Sequence, residues 1–308
     1  MTMRPLAATS RAGVGHVRRF LVVVGIVVMV LPLVAQSQAP AAGATGQGAA
    51  AGGRGQGRGG GGGRGGTLGP VNALGQEVRR PPAPTGPAPR LPDGTVDLDG
   101  LWNGGGPVNS IAQGLKQGET LPLLPSAKAL MADRATRETD DPHLWCMPMG
   151  VPRSTPYPWR FVQNYTHKAA THMFILHEGN IHSYRQIFMD GRKHPAELDP
   201  TWFGHSIGWY DGKDTLVIDT VGFNDKFWFD RQGTPHTEQL HTIERWTRVN
   251  EGTLRNEVTI DDPGAFSKPF TVTFTARLSP PADDIMENIC QENNQYGIAG
   301  GHENPFNK

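Results

Sequence analysis

From Trp202 to Asp262 the chain alternates strand-like runs with tight turns, and this spacing constrains the fold more than any other feature. The runs HSIGWY (205–210) and TLVIDTVGF (215–223) are separated by Asp211-Gly212-Lys213-Asp214. LHTIERWTRV (240–249) and TLRNEVTID (253–261) are separated by Asn250-Glu251-Gly252. Gly, Asn and Asp reach the backbone angles that tight hairpin turns need, so each run pairs antiparallel with its neighbour. The product is a meander whose apolar face must be buried by curling or stacking. The expected class is therefore mainly β.

The N-terminal third is of another kind. Arg18-Arg19 precede an apolar run at 20–35 that ends in Leu33-Val34-Ala35, the pattern of a secretory signal. The run is short for a membrane span, which needs about 20 apolar residues, so no stable span is expected after cleavage. Residues 36–92, with RGQGRGGGGGRGG at 54–66 and RPPAPTGPAPRLP at 80–92, hold little to bury and read as a disordered linker. Charge is divided as sharply. Ten Arg and one acidic residue lie before Asp93, whereas 19 basic and 28 acidic residues follow, a net charge of −9 for the domain. The Arg-Gly arm lacks the interleaved aromatics that stack on bases, so no nucleic-acid partner is expected. Contact with an anionic envelope polymer suits it better. The address is exported, periplasmic or extracellular.

Residues 93–308 are long enough for one domain with a real core. A short helix is predicted at 125–138 and a Pro-rich crossing at 146–159. ATHMFILH (170–177) and 181–189 form a hairpin around Glu178-Gly179-Asn180. FTVTFTARL (270–278) alternates cleanly, and a final strand is expected at 285–291. About eight strands result, enough to close a barrel around side chains or a small ligand. An antiparallel barrel is the first expectation and an open β-sandwich the second. Cys146 and Cys290 are the only cysteines, and after export they should form a disulfide.

Gly100-Leu101-Trp102 is similar to the G-x-W that opens lipocalin-like barrels. PDGTVDLDGLW (92–102), CMPMGVPR (146–153), RQIFMDGRKHP (185–195), GHSIGWYDGKDTLVIDTVGFND (204–225), PHTEQLHTIERWTR (235–248), TIDDPGAFSKPF (259–270) and ICQENN (289–294) follow one another. In that order they resemble the patterns of a broad group of exported, β-rich bacterial proteins. The resemblance spans most of the domain. It implies export and marks these motifs as the functional candidates, and it implies no particular reaction.

Gly204-His205-Ser206-Ile207-Gly208 fits the G-x-S-x-G of a nucleophile elbow, but an elbow needs a strand turning into a helix and this segment leads into a hairpin. In the loop 190–195, Arg192 and His194 sit beside Asp190; with Arg185 they form a possible carboxylate-binding set at a barrel mouth. His194, His236 and His241, with Asp219, are candidates for general acid/base work, and Glu292 joins them if the disulfide holds the last strand nearby. His205 and Trp209 are candidate ligand contacts. His241 and Glu244 fall on opposite faces of a strand, so no ready-made metal triad exists and no metal is expected. There is no P-loop and no Rossmann glycine fingerprint, and no cofactor is expected. The leading expectation is a small-molecule-binding barrel whose ligand is apolar or aromatic with an anionic group. An acid/base lyase, isomerase or hydrolase on the same scaffold is the second, and an envelope interaction module the third.

Overall fold

The computed structural model describes residues 81–153, 157–165, 170–179 and 184–290. The expected secretory segment, the Arg-Gly run at 54–66 and Glu292 lie outside the described residues. Among the described residues, alternating burial along the apolar/polar runs produces nine strands: β1 (Trp102–Gly104), β2 (Trp159–Tyr165), β3 (Ala170–His177), β4 (Tyr184–Phe188), β5 (His205–Asp211), β6 (Thr215–Val221), β7 (His241–Asn250), β8 (Thr253–Asp261) and β9 (Phe270–Leu278). They close into a barrel in sequence order. Trp102↔Leu278, Asn103↔Arg277 and Gly104↔Ala276 seal the ring. The barrel expectation holds, and the architecture fits a lipocalin-like barrel with, among the described residues, one α-helix, α1 (Pro125–Arg134), beside it. Pro125 sits at the start of α1, where its missing N–H would have no helical partner anyway.

Three features depart from the expected meander. β4 and β5 pair in parallel, through Ile187↔Ser206 and Phe188↔Ile207 only. No hairpin can join parallel neighbours, so residues 189–204 run back along the wall before β5 begins. β2 is a strand that the Pro-rich approach to Trp159 concealed; it pairs with β3 from Trp159↔His177 onward. The segment 285–290 forms no strand. With β9 paired to β1 there is no free edge to receive another strand. The segment is instead held by side chains, Arg160 to Asp284 at 3.3 Å and the Met286 amide to Glu178 at 3.1 Å. Cys146 and Cys290 lie at disulfide distance, their Cα atoms 5.7 Å apart.

Among the described residues the apolar side chains gather in two clusters. One, around Trp102, Trp159, Phe161, Leu216, Trp246 and Leu254, sits inside the barrel. The other joins Phe223, Phe227, Phe229, Leu240 and Phe266 to Val258 and Val272 and is flanked by α1. One end of the barrel is closed by the chain preceding β1. Arg248 donates to the carbonyls of Asp97 (2.6 Å) and Asp99 (3.0 Å), and its guanidinium lies 4.8 Å over the Trp102 ring. The Pro-rich stretch assigned by composition to the linker also touches the barrel from residue 84 on, where the Glu251 amide donates to the Gly86 carbonyl at 2.8 Å. Among the described residues no helix is long and apolar enough to cross a membrane.

Candidate functional site

The parallel junction creates the site. Only two residue pairs join β4 to β5, so the chain just before β5 stands away from the start of β4 and a groove of about 310 Å³ opens on the outer wall. That volume is within the range of small-molecule sites, roughly 300–1,000 Å³. Tyr184, Phe188 and Phe203 form its apolar sides, and His205 and Asp199 contribute polar groups. Phe188 and His205 stack, ring centroids 5.0 Å apart. The Arg192 guanidinium covers Phe188 at 3.8 Å.

His205 is one end of a hydrogen-bonded line. Its Nδ1 lies 2.8 Å from Nδ1 of His194, and Nε2 of His194 lies 3.3 Å from Oδ1 of Asp219. The same oxygen is 2.7 Å from Nε2 of His241. Strand alternation puts His205, Asp219 and His241 on the outer faces of neighbouring β5, β6 and β7, while His194 arrives from the crossing loop. Two ring nitrogens at 2.8 Å can share one proton but cannot both carry one. With the His194 Nε2–H donated to Asp219, the His194 Nδ1 accepts from His205 Nδ1–H, leaving a lone pair on His205 Nε2. This tautomer follows from the hydrogen-bond pattern.

The electrostatics agree. Burial would raise the Asp219 carboxyl, but hydrogen bonds and charge from His241, then His194, outweigh it and hold the group below the ordinary carboxylate range. The Asp219 hydrogen bond raises His241 above the usual imidazole value. His205 is lowered by partial burial, then by His194 and Arg192. A carboxylate and a basic imidazole thus sit at one end of the line and a neutral imidazole at the other.

The structure gathers His194, His205, Asp219 and His241 and disperses the other sequence candidates. Arg185 faces the barrel interior, where it pairs with Glu244 and is 3% exposed. Arg192 stays outside and is held by Asp190, to which it donates at 2.6 Å. The expected convergence of Arg185, Arg192 and His194 therefore fails, because Arg185 sits on the inward register of β4. His236 is no accessible acid or base: it is buried between Phe227 (3.8 Å) and Phe229 (5.0 Å). Trp209 is 46% exposed on the outer face of β5, roughly 13 Å along the strand from His205 by strand rise. Ser206 is buried, bonded to Thr220 (3.0 Å) and Arg185 (3.1 Å), and no helix follows it, so it is no nucleophile elbow. His194 spends its two nitrogens in opposite directions, and among the described residues no group of His, Cys, Asp and Glu is arranged to hold a metal ion.

Sequence reading overlooked the groove aromatics Phe188 and Phe203 and the inward residues His177, Glu244 and Asn256. The parity of each strand, anchored by Trp246 or Ile187 as inward positions, carries the signal that identifies Glu244 and Arg185 as interior. Nothing in the sequence announces the groove itself. Compared with family models, curated proteins and solved structures, the chain finds no match.

Proposed function

We propose that the protein is exported and handles a small, partly aromatic molecule in the groove between β4 and β5, removing a proton from it with His205 as general base. The signal-like segment and the Cys146–Cys290 pair support export. The observation that carries the catalytic reading is the line Asp219–His194–His205, which ends in an imidazole lining a groove of about 310 Å³. Asp219 and His194 are positioning residues. They fix the tautomer of His205 and stabilise the positive charge it takes on, the task of an orienting carboxylate behind a histidine base. Phe188 and Phe203 supply flat apolar surface for the body of the substrate.

A generic aromatic carbon acid, 5-nitrobenzisoxazole, tests this. Loss of its ring proton to His205 sends the C–H electrons into a nitrile while the N–O bond breaks to a phenolate. The expected result is turnover that rises with pH through an apparent pKa below that of free imidazole. His205→Ala should lower the rate by roughly 10²–10⁴-fold, and Asp219→Asn should lower it less while displacing the pH profile. Equal rates for wild type and His205→Ala would rule the base out. A binding protein without turnover would instead take the same probe reversibly, with affinity falling gradually over Phe188, Phe203 and His205 substitutions.

A further inference from the structure

On the other side of the same wall lies a polar layer that the outer site does not use. Arg185 pairs with Glu244 at 2.5 Å and donates to Ser206 and Thr220, at 3.1 and 2.7 Å. The layer borders a cavity of about 40 Å³, walled by Trp159, Trp246 and Phe203. Asn256, 1% exposed, also lines it. The Asn256 amide donates Nδ2–H to the Gly105 carbonyl at 2.9 Å, which fixes its orientation and leaves Oδ1 buried with no hydrogen-bond partner among the described residues. His177 faces the same space; it stacks on Phe203, and its ring nitrogens have no hydrogen-bond partner among the described residues.

A buried acceptor without a donor is costly, about 1–3 kcal/mol, and native proteins seldom leave one unmet. The charges of the layer cancel: Arg185 is matched by Glu244, and Arg153, also lining the cavity, is matched by both oxygens of Asp141, at 2.8 and 2.6 Å. Burial and the nearby Arg185 lower His177 to about 4, so it enters neutral solution uncharged. A charged guest would surrender its hydration with no opposite charge to receive it. The guest must be neutral, must bring an N–H or O–H donor for Asn256, and can accept from His177 or from the two Arg185 N–H groups not engaged in the three bonds above. One water occupies about 10–15 Å³ on this scale, so the cavity admits on the order of three non-hydrogen atoms. A planar carboxamide head has three.

We infer that the barrel interior is a second binding site, which shares the Phe203 ring with the outer groove and takes the neutral carboxamide head of a small molecule between Asn256, His177 and Arg185. The experiment titrates acetamide and benzamide into the purified protein by calorimetry and by indole fluorescence, since Trp159 and Trp246 wall the site. Benzoate and benzylamine serve as charged counterparts. Saturable binding of the amides is expected, with the charged analogues at least about 10-fold weaker, the equivalent of one lost charge-matched hydrogen bond. Asn256→Leu should abolish amide binding and His177→Phe, which keeps the ring stack on Phe203, should weaken it. His205→Ala should leave it unchanged, which separates this site from the groove. Unfolding curves for each variant identify a loss caused by misfolding, and His177→Phe then carries the test if Asn256→Leu does not fold. The inference is overturned if benzoate binds as well as benzamide, if the folded variants bind like wild type, or if no amide saturates, in which case the cavity holds water alone.

Discussion

The barrel is expected to lose most of its thermal stability as pH falls from 6.5 towards 4. His143, His177 and His236 are each lowered from 6.5 to about 4, in every case mainly by burial. The positive field of Arg153 adds to the effect at His143 and that of Arg185 at His177, while the Thr237 carbonyl opposes it at His236. These imidazoles are neutral in the fold. Below pH 6.5 the unfolded chain binds protons that the folded chain refuses, so stability falls with pH until the folded groups titrate near 4. Lowering one imidazole from 6.5 to about 4 corresponds to roughly 3 kcal/mol. Three such groups approach the entire stability of an ordinary domain, about 5–15 kcal/mol.

The outer site adds terms at other pH values. His241 is raised, so its contribution is complete below the unfolded imidazole value and disappears as pH rises through its folded value. Asp219 is lowered; its contribution persists above 3.8 and is lost only as pH falls through the folded value. Neither offsets the collapse between 6.5 and 4. Calorimetric Tm measured from pH 8 to pH 4 checks this, and His236→Phe, which removes one of the three groups from an aromatic nest, should flatten the curve. A Tm that stays level down to pH 4.5 would mean that water reaches these rings in solution.

Glu244→Ala should destabilise the barrel by about 3–5 kcal/mol. The Arg185 guanidinium is 3% exposed and carries a positive charge. Without Glu244 only the Ser206 and Thr220 hydroxyls remain to balance it. The double variant Arg185→Met/Glu244→Leu removes both charges and should recover much of the loss, because well-packed apolar replacements of a buried pair are often neutral or better. Urea denaturation of the two single variants and the double variant measures the coupling. A loss below about 1 kcal/mol for Glu244→Ala would place the pair in the class of exposed, hydrated ion pairs.

The runs at 205–223, 240–261 and 270–278 announced their hairpins because alternation and Gly/Asn/Asp turns are local properties. The same alternation put His241 and Glu244 on opposite faces, and the structure turns His241 outward and Glu244 inward. Side-chain chemistry named the four members of the outer line, though as separate candidates: His194 and His205 are 11 residues apart in sequence and yet lie within hydrogen-bond distance at 2.8 Å.

What the sequence determined by itself is the mainly β class, the alternation of β7 and β9, the hairpin pairs β3–β4, β5–β6 and β7–β8 and the disulfide partners, since only two cysteines exist. Tertiary structure alone decided the rest. Closure of β9 on β1 consumed the edge that a tenth strand would have used. The parallel β4–β5 junction opened the groove and brought His194 back over the outer wall. Curling of the sheet set Arg185, Glu244 and Asn256 against one another across the interior. Each depends on contacts between segments distant along the chain, whose geometry exists only once the ring is closed, and no local propensity encodes a ring.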